Sequence, residues 1–72
     1  MNEYSRILIE EYCLTHNSAK SRRLQRLVDK SYDLSYELTD SEAIFLEKCI
    51  DECKEPELKE ALQDLDRFMC GF

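Results

Sequence analysis

Glycine and proline are almost absent from this chain, which has one of each in 72 residues. Tight β-hairpins need glycine, Asn-Gly or Asp-Gly at their turns, and no such turn lies between apolar stretches of this sequence. Leucine, glutamate, lysine and arginine, which all favour helices, are abundant instead. The composition therefore predicts an all-α fold. The short length of the chain predicts one domain, covering residues 1–72.

Apolar side chains recur at helical spacing in four segments, which predicts a small bundle of three to four short amphipathic helices. The predicted helices cover residues 3–14, 19–38, 40–53 and 56–69. Thr39 and Glu42 fit a capping box that would end the second helix and start the third. Pro56 suits the first turn of the fourth helix, and Gly71 is predicted to end it.

The predicted second helix contains a tetrapeptide pattern written twice, Ser31-Tyr32-Asp33-Leu34 and Ser35-Tyr36-Glu37-Leu38. Residues four apart lie on the same face of a helix, so each residue of the first copy would stack on its counterpart in the second. The resulting apolar stripe is wider than one neighbouring helix covers. A homodimer is therefore expected, because a twofold interface would cover the excess and enlarge a small core. The serines weaken the helix locally, so a break near Asp33 is the alternative.

Charge is strongly segregated along the chain. Residues 18–30 carry five cations and one carboxylate, whereas residues 31–72 carry 12 carboxylates and four cations. The whole chain has a formal net charge of −6. This distribution predicts a basic face that attracts an acidic partner. The alternative is that the basic residues form salt bridges with the acidic helices of the same chain.

Arginine and tyrosine, the residue types that dominate interface hot spots, follow one another in the predicted second helix. The predicted partner-binding residues are Arg22, Arg23, Arg26, Tyr32 and Tyr36. The planar guanidinium fork matches carboxylate and phosphate oxygens. We therefore expect a small non-enzymatic regulatory or adaptor protein, of a size common among bacterial and phage-encoded modulators. It would bind a protein partner and occlude one of its surfaces, as an inhibitor does.

Nucleic acid is the alternative partner for the basic helix of residues 19–30. Lysine and arginine on one helix are the usual footprint of phosphate binding. The acidic remainder of this chain would repel a phosphate backbone, so we do not expect nucleic acid to be the natural partner.

Soft metal ligands are present at Cys13, His16, Cys49 and Cys53, and four such ligands could form a tetrahedral zinc site. Their spacing departs from the C-x-x-C pairs that are usual in structural zinc sites. The three cysteines also fall on the predicted apolar stripes, where free cysteine behaves as a small buried hydrophobe. The latter interpretation is preferred, so no metal or other cofactor is expected.

Catalytic and targeting motifs are missing from the sequence. It contains no glycine-rich phosphate loop and no nucleophile elbow, so an enzyme is not expected. It also has no apolar run of 18 residues and no basic-then-apolar leader at its start, which predicts a cytoplasmic protein without a membrane partner. Disulfides are not expected in that compartment.

The five residues Leu34-Ser35-Tyr36-Glu37-Leu38 resemble part of the S-x-E-L-D signature of the small two-helix aspartyl-phosphate phosphatases. That resemblance implies an enzyme that dephosphorylates a response regulator, which is a second alternative for the function. Thr39 stands where the signature has aspartate, and the chain continues for two further predicted helices.

Overall fold

The computed structural model describes residues 1–70, in which every regular element is an α-helix and no strand is present. The helices are α1 (Glu3–Thr15), α2 (Ala19–Lys30), α3 (Asp40–Glu52) and α4 (Pro56–Met69). Helix α1 packs against α2 and α4, and α4 also packs against α3. The predicted all-α bundle is therefore confirmed. The predicted stop at Gly71 lies outside the described residues.

Each helix begins where a capping residue supplies a hydrogen-bond acceptor or where proline permits the turn. The Asn2 side chain accepts a hydrogen bond from the Tyr4 backbone N–H, and the Ser18 hydroxyl accepts one from Ser21. Thr39 forms a complete capping box at the start of α3. Helix α4 begins at Pro56, whose missing N–H would have no partner in a first turn.

The core lies between the apolar stripes of all four helices, which explains why the sequence periodicity predicted them. Its buried residues are Ile9, Leu24, Leu27, Val28, Leu46, Cys49, Ile50, Leu58, Ala61, Leu62, Leu65 and Met69. Burial of these side chains supplies most of the stability, because helices of this length are marginal in isolation. No helix in residues 1–70 is both long enough and apolar enough to cross a membrane.

The second helix ends at Lys30, so the prediction that it continues to residue 38 is wrong. The Ser31 backbone N–H is shared between the Leu27 and Val28 carbonyls at 3.0 and 3.1 Å. The Asp33 carboxylate then accepts hydrogen bonds from the backbone N–H and the hydroxyl of Ser35, at 3.0 and 2.7 Å. Serine and aspartate side chains compete with helical hydrogen bonding in this way. The alternative of a break near Asp33 therefore agrees with the structure.

The early end of α2 removes the wide apolar stripe. In the connector of residues 31–39, Tyr36 and Leu38 pack against the core of the same chain. Tyr32 remains 59% exposed and Leu34 84% exposed. The monomer therefore covers two of these four side chains by itself, and the stripe no longer argues for a homodimer. Self-association stays a prediction.

Candidate partner-binding groove

A groove of about 290 Å³ lies between α2 and the first turn of α3. We call it the arginine groove. The residues that line it are Arg23, Arg26, Leu27, Lys30, Tyr36, Thr39 and Glu42. The α2 residues recur at spacings of three and four, which places them on one helix face. The groove therefore arises where the basic face of α2 stands beside the connector and the start of α3.

Glu42 joins the three segments that form the groove. One of its carboxylate oxygens accepts a hydrogen bond from Lys30 Nζ at 2.7 Å. The other accepts from the Tyr36 hydroxyl at 2.6 Å and from the Thr39 backbone N–H at 3.0 Å. Lys30 also donates to the Tyr36 hydroxyl at 3.2 Å. This network fastens the connector to both helices and sets the position of Tyr36.

The charged form of Glu42 is stabilised by its partners. Loss of water contact acts to raise the pKa of Glu42, but hydrogen bonds from Lys30, Thr39 and Tyr36 outweigh that effect and lower the pKa to about 2. The hydrogen bond to Glu42 is also the main reason that the pKa of Lys30 is raised. The two opposite charges therefore neutralise each other inside the groove at neutral pH.

Stability should consequently fall in acid. Because the pKa of Glu42 is about 2 in the folded protein and near 4.5 without its partners, the unfolded chain binds the proton more readily. The stabilisation from Glu42 is complete above its ordinary pKa and is lost as the pH falls from there towards 2. Urea unfolding at a series of pH values should show this decline, and Glu42→Gln should show a shallower one. An equal slope in both proteins would contradict the assignment.

Arg23, also on α2, is oriented by two contacts with α3. Its guanidinium donates a hydrogen bond to the Ser41 hydroxyl at 3.2 Å. Its Cζ atom lies 4.4 Å from the centroid of the Phe45 ring. Arginine commonly stacks on aromatic faces in this manner. The remaining N–H donors of Arg23 are therefore presented by a side chain that is already ordered.

The arginines of α2 form no salt bridge in the part of the chain that the structure describes. The three salt bridges there join Lys20 to Glu52, Lys30 to Glu42 and Arg67 to Asp64. Arg26 takes part in no side-chain hydrogen bond within residues 1–70 either, although it lines the groove. The alternative was that the acidic helices neutralise the basic stretch. The structure does not show this for the arginines of α2.

Three of the five predicted partner-binding residues line the arginine groove, and the other two do not. Arg23, Arg26 and Tyr36 meet in the arginine groove. Arg22 lies on the same helix, one turn before Arg26, but it does not line the groove, and its guanidinium donates to the Asn17 side-chain oxygen at 3.4 Å. Tyr32 lies against α1, with the Arg6 guanidinium 4.0 Å from its ring centroid. Tyr32 and Tyr36 separate because the chain leaves the helix at Ser31, so Tyr32 contacts Arg6 and Tyr36 contacts Glu42.

Sequence reasoning missed Lys30 and Glu42 as parts of the groove, and Ser41 and Phe45 as supports of Arg23. The capping box did single out Glu42, but only as a helix-start signal. No feature of the sequence paired it with Lys30, because that contact depends on the path of the connector between α2 and α3.

The residues considered for zinc do not form a metal-ligand group in the described part of the chain. Among the first 70 residues, no group of three or more histidine, cysteine, aspartate or glutamate side chains is placed to hold a metal ion. The His16 ring stacks on Tyr12 with centroids 4.1 Å apart, and its Nδ1 lies 3.0 Å from the Tyr12 carbonyl oxygen. Cys49 lies in the core, and burial raises the pKa of its thiol. Burial likewise raises the pKa of Cys13, to about 11.

The residues that resemble the phosphatase signature, from Leu34 to Leu38, lie in the connector and not in a helix. Comparison with known proteins adds no functional assignment to this geometry. No known protein family matches the chain, and no curated protein or solved structure is significantly similar to it.

Proposed function

We propose that this chain is a small non-enzymatic regulatory protein that binds a protein partner through the arginine groove and occludes part of the partner's surface. One observation carries the proposal. Arg23 and Arg26 line a groove and form no salt bridge within residues 1–70, although the chain has 16 acidic residues. Two accessible arginines beside a tyrosine are a composition typical of interface hot spots.

The order of the groove also supports binding. Phe45 and Ser41 already restrict Arg23, so little of its side-chain freedom would be lost when a partner binds. The Glu42 network likewise holds Tyr36 before any partner arrives. Groups that are ordered in advance give more affinity per contact than groups that must be immobilised.

Differential affinity capture from the native host tests the proposal. The immobilised wild-type chain, the variant with Arg23→Glu and Arg26→Glu, and a control with Lys48→Glu and Lys54→Glu are compared as baits. The control makes the same charge change at two exposed lysines outside the groove. We expect a protein that is retained by the wild type and by the control but lost from the arginine variant. Mass spectrometry would identify it.

The same experiment separates the alternatives. Lysates are treated with nuclease before capture, and binding of DNA and RNA to the purified chain is measured at several salt concentrations. Equal retention of every captured protein by the two variants would contradict the proposed surface. Tight nucleic-acid binding that weakens steeply with salt and requires Arg23 and Arg26 would favour the nucleic-acid alternative instead.

A further inference from the structure

We infer that the arginine groove recognises two carboxylates placed one helical turn apart on a helix of the partner. The inference rests on the proposed function and specifies the chemistry of the partner. It follows from the charge of the groove, from the spacing of its arginines and from its size.

The charge of the groove is positive on a negatively charged protein. Its lining contains the three cations Arg23, Arg26 and Lys30 and the single carboxylate of Glu42. Lys30 and Glu42 are paired at 2.7 Å and neutralise each other. The two arginines therefore remain as an excess of two positive charges, while the whole chain has a net charge of −6. An occupant with two negative charges complements this excess.

The arginines stand three residues apart on α2, so their Cβ atoms are roughly 5–6 Å apart on the same helix face. Carboxylates at positions i and i+3 or i+4 of a partner helix have the same separation. Each guanidinium can then receive its own carboxylate in the two-pronged geometry that arginine favours. Phe45 and Ser41 restrict the Arg23 guanidinium. It is therefore less free than the Arg26 guanidinium to turn towards a single anion shared by both.

The size of the groove restricts what enters it. Its volume is about 290 Å³. This space accepts the ends of two acidic side chains but not a helix or a strand. The partner helix would therefore lie across the rim and insert its carboxylates.

A long polyanion fits these observations less well. Residues 31–72 carry 12 carboxylates against four cations, and this net negative charge repels a phosphate backbone that extends beyond the groove. Electrostatic interactions between exposed charges are screened beyond about 8 Å at physiological salt. Two carboxylates confined to the groove are attracted by the nearby arginines, whereas an extended polyanion also meets the acidic surface. The structure therefore favours an acidic helix.

The test titrates the ¹⁵N-labelled full chain with a synthetic alanine- and glutamine-rich peptide of about 18 residues, long enough to form a helix. One peptide carries glutamates at positions i and i+4, and its twin carries glutamine at both. We expect saturable NMR shifts of Arg23, Arg26 and Tyr36 with the glutamate peptide only. Arg26→Gln should weaken binding about tenfold, as expected for loss of one charge-assisted pair. Arg22→Gln, which changes a neighbouring arginine outside the groove, should leave the affinity within about twofold.

Several outcomes would overturn the inference. They are equal responses to the two peptides, shifts centred outside the groove, or equal losses in the Arg22 and Arg26 variants. Inorganic phosphate that gives the same shifts at lower concentration would assign the groove to a single oxyanion. Arg26 is exposed and forms no side-chain hydrogen bond or salt bridge within residues 1–70, so its variant should stay folded, which circular dichroism would check. If captured partners require Arg23 and Arg26 but the glutamate peptide does not bind, the paired-carboxylate inference fails and the proposed function stands. If capture is insensitive to both arginines, the proposed function fails.

Discussion

Replacing Leu65 by alanine is expected to destabilise the protein by about 2–5 kcal/mol, the usual cost of truncating a fully buried leucine. Leu65 is completely buried in the core and lies on α4, which packs against both α1 and α3. The truncation removes apolar contacts and leaves a cavity that the small bundle cannot fill. A domain of this size has a total stability of only about 4–11 kcal/mol. Urea unfolding followed by circular dichroism should therefore show a much lower midpoint or a substantially unfolded variant.

Leu34→Ala is the matched control, because it makes the same chemical change at a leucine that is 84% exposed. Its free energy of unfolding should stay within about 0.5 kcal/mol of the wild-type value. Comparable destabilisation by the two substitutions would contradict the placement of the core. A thermally silent Leu65→Ala variant would show that α4 does not pack as described.

Replacing Glu42 by glutamine is expected to have the second largest effect, with a loss of about 1–2 kcal/mol of stability at neutral pH. The substitution keeps the shape of the side chain but presents a neutral amide to the Lys30 ammonium. It also removes the charge from the hydrogen bonds with Tyr36 and Thr39. The effect should stay moderate because the Lys30 side chain is 42% exposed and solvent screens the pair, although the Glu42 side chain is only 13% exposed.

Glu47→Gln provides the control on the same helix, at an exposed glutamate outside the groove. It should change the free energy of unfolding by less than about 0.5 kcal/mol. Tyr36→Phe isolates the hydroxyl and should cost less than Glu42→Gln, because it leaves the salt bridge in place. If the two glutamate variants lose equal stability, the Glu42 network does not stabilise the fold.

Stability and binding should separate cleanly in this molecule. The stabilising cluster of Lys30, Tyr36 and Glu42 contributes to the lining of the arginine groove, whereas Arg26 on α2 forms no side-chain hydrogen bond or salt bridge within residues 1–70. Substitution of Arg26 should therefore change affinity at constant stability, and substitution of Glu42 should change both.

Local patterns were sufficient for much of the fold. The cap at Thr39, the proline at Pro56 and the apolar stripe of α4 each depend on residues within a few positions of one another, and all three were predicted correctly. The cysteine at Cys49 was interpreted as a buried apolar residue for the same reason, since its place on a helical stripe is visible in the sequence. Local hydrogen bonding and side-chain periodicity do not require knowledge of neighbouring helices.

The end of α2 marks the limit of that reasoning. Helix propensity and the repeated tetrapeptide favoured continuation to residue 38, but the helix ends at Lys30, and the Asp33 carboxylate binds the backbone N–H of Ser35 in the connector that follows. Packing of Tyr36 and Leu38 against the core accompanies the non-helical path. The choice between a longer helix and a connector at Ser31 therefore depends also on contacts with residues that are distant in sequence.

By itself, the sequence determined that the chain forms four short helices, because apolar spacing and capping residues act over one or two turns. Only the tertiary structure decided which charges meet. It paired Lys30 with Glu42, left Arg23 and Arg26 without carboxylate partners within residues 1–70, and placed Tyr32 against α1 and outside the groove. The physical reason is that a charge pair depends on distance in space, and here the connector between α2 and α3 determines that distance.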